Sequence, residues 1–102
     1  MGLHKVAETK DLPPGSGMAV EVEGRQLALF NVEGTYYAID DTCPHRGGPL
    51  SEGDLEGEHV ICPWHSATFD LTDGSVLAPP AEEGVGSYRV EVDGGIIKVE
   101  LP

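Results

Sequence analysis

Two short segments hold the residue types that chemistry needs: Asp41-Thr-Cys43-Pro-His45-Arg-Gly-Gly-Pro49-Leu50 and Cys62-Pro-Trp-His65-Ser66, with sixteen residues between His45 and Cys62. Each offers one soft thiolate and one borderline imidazole, a donor set for a metal centre shared between two loops. Pro44 and Pro63 stiffen the backbone between the donors, and Gly47 and Gly48 let amide N–H groups come close enough to point at sulfur. The chain has two cysteines, and each has a histidine within three positions. Buried small cysteines with incidental histidines explain that pattern poorly. Closed tetrahedral Cys2His2 zinc is the first alternative, although the spacing argues against it. His4 and His59 have no cysteine nearby and are expected in surface or strand-edge roles.

The elements that must position these donors are strands. Acidic-Gly pairs at Glu23-Gly24, Glu33-Gly34, Asp73-Gly74 and Asp93-Gly94 lie between runs rich in Val, Ile, Leu, Tyr or Phe and read as hairpin turns. Val20 and Val22 alternate with Ala19, Glu21 and Glu23, and Val90 and Val92 with Arg89, Glu91 and Asp93, a period of two. Strands are expected near 3–8, 17–23, 26–32, 35–40, 59–61, 68–70, 75–77, 86–92 and 95–101. Sustained helical period is missing, and 14 Gly with 8 Pro would break most helices; one helical turn near Asp11–Gly15 is allowed. The expected class is all-β, antiparallel, with residues 1–102 forming a single domain and a small inserted subdomain at about 41–80 holding the donors.

Composition bounds the partners. The net charge of -12, from 18 acidic and 6 basic residues, repels nucleic acid and anionic lipid and favours a basic protein surface with transient electrostatic docking. The acidic run Glu52, Asp54, Glu56 and Glu58 reads first as a solvated loop and second as a docking patch. No apolar stretch approaches the roughly 18 residues of a membrane span. The N-terminus lacks a signal-peptide pattern, so the expected location is the cytoplasm, where paired cysteines serve metals or redox more often than disulfides.

The spacing C-x-H, sixteen residues, C-x-x-H resembles the Rieske 2Fe-2S family, and the resemblance runs from the strands before Asp41 to the closing hairpin. It implies one 2Fe-2S cluster per chain, with Cys43 and Cys62 on one iron and His45 and His65 on the other. Two neutral imidazoles in place of two thiolates leave the oxidised cluster less negative and ease acceptance of an electron. The resemblance also places Pro79-Pro80 as a rigid loop over the cluster, and it leaves Trp64 as a shield or as core cover.

Respiratory members of that family have two further cysteines where this chain has Gly48 and Trp64, and Ser and Tyr hydroxyls where it has Ala67 and Phe69. Losing two donors to sulfur removes stabilisation of the reduced state, so the expected potential is around or below roughly -150 mV. Low potential fits the ferredoxin of a bacterial aromatic-ring dioxygenase system, a monomeric electron carrier that is not itself an enzyme. It would take electrons from a flavin-dependent reductase and deliver them to a terminal oxygenase. A small subunit of a nitrite reductase or another reductase complex, and a zinc-stapled interaction module, are the alternatives.

Overall fold

In a computed structural model of the chain, the described residues are 2–41, 49–63, 67–78 and 84–101. Among them run strands β1 (Gly2–Glu8), β2 (Gly17–Val22), β3 (Arg25–Val32), β4 (Thr35–Asp40), β5 (Asp54–Glu56), β6 (His59–Ile61), β7 (Thr68–Asp70), β8 (Val76–Ala78), β9 (Ser87–Tyr88), β10 (Val90–Asp93) and β11 (Ile96–Leu101). They pair into three sheets, ordered β1-β11-β10, β2-β3-β4-β9 and β5-β6-β7-β8, with every pairing antiparallel. The all-β antiparallel expectation is met.

The middle sheet is covered on both faces. Leu27, Leu29 and Ala38 pack with Ala7, Val22, Ile97, Val99 and Leu101 on one side. Ala28, Phe30 and Ile39 pack with Leu50, Val60, Cys62, Ala67 and Phe69 on the other. A strand buried on both faces needs apolar residues at every position, which is why β3 reads Leu27-Ala28-Leu29-Phe30 without alternation. Asn31 breaks the run: its amide nitrogen donates to the Leu12 carbonyl at 2.8 Å and its oxygen accepts from the Gly34 amide at 2.8 Å. One buried side chain thus satisfies both the 12–16 loop and the β3–β4 turn.

Turn chemistry follows the acidic-Gly pairs. Glu23 and Gly24 have φ of 52 and 78°, Glu33 and Gly34 have 51 and 94°, the left-handed pairs that match strand twist in two-residue hairpins. The last hairpin is displaced by one residue: Asp93 stays in β10 opposite Ile96, and Gly94 with Gly95 makes the turn.

Three expectations shift. The single strand expected at 86–92 is two, because β9 pairs with β4 while β10 pairs with β11, and the chain changes sheets at Arg89. The acidic run is not a plain loop: a 3₁₀ turn at Leu50–Glu52 leads into β5. There Leu55 packs on the core while Asp54 and Glu56 face solvent, charges that suit an edge strand. The helical turn allowed near Asp11–Gly15 lies earlier, at Thr9–Asp11.

Because Ala38 pairs with Tyr88 and Ile39 with Ser87, the chain that leaves β4 returns beside it. The whole β5–β8 sheet is therefore an insertion in the middle sheet. Pairing with β4 resumes at Ser87.

Candidate metal centre

Of the four donors, Cys62 is among the described residues. Cys43, His45 and His65 lie outside them, as do Gly48, Trp64, Pro79 and Pro80. What is described is the pair of stems from which the donor segments spring.

The first stem is built on Asp41, just past β4. Its amide donates to the Gln26 carbonyl at 3.0 Å, its carbonyl accepts from the Leu50 amide at 2.6 Å, and its buried carboxylate accepts from the Ser51 amide at 2.8 Å. Residue 41 is thereby tied to residues 50 and 51, and the segment between them leaves and returns at one point. Leu50 is fully buried. The same segment continues through Gly53, where a Cβ would collide with the Ile61 carbonyl oxygen, so glycine lets the 3₁₀ turn lie against β6.

The second stem is the end of the β6–β7 hairpin. The Cys62 amide donates to the Ala67 carbonyl at 2.7 Å, and Cys62 itself is 1% exposed and in no disulfide. Leu50, Cys62, Ala67 and Phe69 belong to one core cluster, so the described residues flanking both donor segments share one apolar floor. A buried, unoxidised thiol where two stems converge fits a soft metal centre, because the floor excludes water and a thiolate there needs a cation partner.

Against family models, residues 2–89 match the Rieske [2Fe-2S] domain. The chain belongs to the Rieske [2Fe-2S] family. It is 37% identical over 91 residues to the ferredoxin component of the naphthalene 1,2-dioxygenase system of Pseudomonas aeruginosa, covering 89% of this chain and 88% of that relative. The ferredoxin of carbazole 1,9a-dioxygenase from Nocardioides aromaticivorans IC177 superposes with a TM-score of 0.93 at 31% identity, each chain covered in full. A complex of reduced oxygenase and oxidized ferredoxin in carbazole 1,9a-dioxygenase matches with a TM-score of 0.88 and 33% identity, over 98% of this chain and 97% of that one.

A Rieske domain carries a 2Fe-2S cluster, which replaces the closed zinc site considered from the donor set alone. The relatives are ferredoxin components, and this Rieske chain is likewise an electron carrier and not a catalytic subunit.

Ala67 and Phe69 are both fully buried, one on the Cys62 stem and the other opposite Val60. Neither brings a hydroxyl to the floor. His4 sits 3.8 Å from Glu23 on the edge strand β1, and His59 is exposed on β6 between Glu56 and Asp70, both in the surface roles expected of them. Asp70 is held below the ordinary carboxylate range by hydrogen bonds from the Thr72 hydroxyl and amide, outweighing the opposing effect of burial.

Sequence reasoning passed over Asp40 and Tyr88. The Asp40 carboxylate accepts from the Tyr88 hydroxyl at 2.6 Å and from the Gly86 amide at 2.8 Å. An aspartate pair ending a strand, Asp40-Asp41, was the available signal; Tyr88 offered none, being 48 positions away. No helix among the described residues is long and apolar enough to cross a membrane.

Proposed function

We propose that this chain is the ferredoxin component of an aromatic-ring dioxygenase system, with Cys43, His45, Cys62 and His65 as the cluster ligands and residues 1–102 acting as one domain. It takes single electrons from a flavin-dependent reductase and passes them to a terminal oxygenase, working as a cytoplasmic monomer. The observation that carries this reading is the buried Cys62 thiol at the meeting of two stems, in a chain similar to dioxygenase ferredoxins over nearly its whole length.

When bound, the cluster supplies a one-electron site. The chain's own contribution is the apolar floor of Leu50, Ala67 and Phe69, which keeps water from the Cys62 side. With no hydroxyl at Ala67 or Phe69, nothing from those positions stabilises added charge on sulfur, so the proposed potential stays around or below roughly -150 mV.

Charge supports brief docking. Residues 41–83 hold nine acidic residues and one basic residue, and Asp54 and Glu56 face solvent along β5. That field draws a basic partner surface to the inserted part of the chain and weakens as salt screens it. The test is the rate at which the reduced protein passes electrons to purified terminal oxygenases of aromatic dioxygenase systems, followed by visible absorption across a salt series. Transfer that slows steeply with salt is expected. A tight, salt-insensitive complex would favour a fixed subunit of a larger reductase.

A further inference from the structure

Asp40 occupies the last position of β4 and joins two parts of the chain that are far apart in sequence. One carboxylate oxygen accepts from the Tyr88 hydroxyl at 2.6 Å, the other from the Gly86 amide at 2.8 Å, and the Asp40 amide donates to the Gly86 carbonyl at 3.0 Å. Arg25 lies behind the pair, its guanidinium 3.4 Å from the Tyr88 hydroxyl. Gly86 is needed at this crossing, since a Cβ there would lie 2.9 Å from the Asp40 carboxylate and 3.2 Å from the Tyr88 hydroxyl.

The segment before β9 is gripped a second time. Val85 donates its amide to the Gly74 carbonyl at 2.7 Å, and Gly74, at φ +78°, has its Cβ position filled by the Val85 carbonyl. Residues 84–86 are therefore held between the β7–β8 turn and the end of β4. Charge-assisted hydrogen bonds to a carboxylate are the strong members of their class; Asp40 accepts two of them, from the Tyr88 hydroxyl and the Gly86 amide, beside the neutral backbone bond from its own amide.

We propose that Asp40, Tyr88 and Gly86 form a clasp that positions the cluster surroundings: Asp40 lies three residues before Cys43, and Gly86 three residues after the 79–83 segment. Asp40 and Tyr88 are positioning residues, since neither is a ligand. The clasp ties the end of β4, from which the chain leads to Cys43, to residues 84–86 just before β9. This inference rests on the ligand reading above, which places Cys43 on iron.

The test uses the cluster-loaded protein and two ways of opening the clasp. Tyr88→Phe removes a donor, and Gly86→Ala drives a methyl between the partners; Ile97→Val, in the core on which Tyr88 also packs, serves as a control of general stability. Midpoint potential and the width of the electron paramagnetic resonance lines of the reduced cluster are read on each. Both clasp variants are expected to shift the potential beyond replicate error and to broaden the lines, while Ile97→Val does neither at a similar loss in melting temperature. Asp40→Asn, which keeps an acceptor for one of the two donors, should fall between wild type and Asp40→Ala. Unmoved potential and line width in both Tyr88→Phe and Gly86→Ala would overturn the clasp. Iron and sulfide content decides the ligand reading separately, because a full cluster retained after Cys43→Ala would overturn that assignment whatever the potentials and line widths of the clasp variants.

Discussion

The carboxylate of Asp41 accepts the amide of Ser51 at 2.8 Å, so the segment carrying Cys43 and His45 is closed by a side chain as well as by the Asp41–Leu50 backbone bond. Asp41 is 6% exposed, and its loss leaves a buried N–H without a partner. Asp41→Ala is expected to cost about 1–3 kcal/mol and to lower the iron retained per chain after exposure to a chelator. Asp41→Asn, which keeps an acceptor, should recover most of the iron. Denaturant melts and iron assays on the three proteins check this; equal iron retention in all would remove Asp41 from the stem.

The apolar floor gives a second expectation. Leu50 is fully buried against Cys62 and Phe69. Leu50→Ala should cost about 2–5 kcal/mol and loosen both stems together. Chemical denaturation gives the cost, and bleaching of the visible absorption before global unfolding would mark the local loss. A single coincident transition would show instead that the floor and the rest of the fold melt as one.

Ala67 and Phe69 offer the converse experiment. Ala67→Ser introduces a hydroxyl on the Cys62 stem, and a donor to sulfur that favours the reduced state by about 1 kcal/mol would raise a one-electron potential by about 40 mV. Voltammetry of Ala67→Ser, alone and with Phe69→Tyr, should show stepwise upward shifts. A downward shift would mean that these positions do not face sulfur.

Alkaline pH addresses Tyr88. Burial, and then the hydrogen bond to Asp40, hold its pKa above the ordinary value of 10.0, with Arg25 opposing. A folded value above the unfolded one means that Tyr88 contributes stability fully below pH 10, and that this is lost as pH rises through the folded value. The melting temperature of wild type should therefore fall more steeply above pH 10 than that of Tyr88→Phe. Parallel curves would contradict the stated environment.

How much of this was legible in the sequence depends on range. The hairpins at Glu23-Gly24 and Glu33-Gly34 were readable because their left-handed backbone needs those residue types locally, and β3 because both its boundaries are set by those turns. Spacing alone names Cys43, His45, Cys62 and His65 as donors, and of these Cys62 is among the described residues. β5 was hidden because a three-residue strand with one inward leucine looks like an acidic loop. The break at Arg89 was hidden because alternation continues across it, and only pairing partners tell two sheets from one. The Asp40–Tyr88 bond could not be seen, since a tyrosine is not marked by its neighbours for a carboxylate far away in the chain.

The central claim is that this chain carries one low-potential Rieske cluster, and a reductive titration of the purified protein tests it most directly. Visible absorption should bleach with uptake of one electron per chain, at a midpoint around or below roughly -150 mV. A colourless zinc-loaded protein, or a midpoint far above zero, would contradict it.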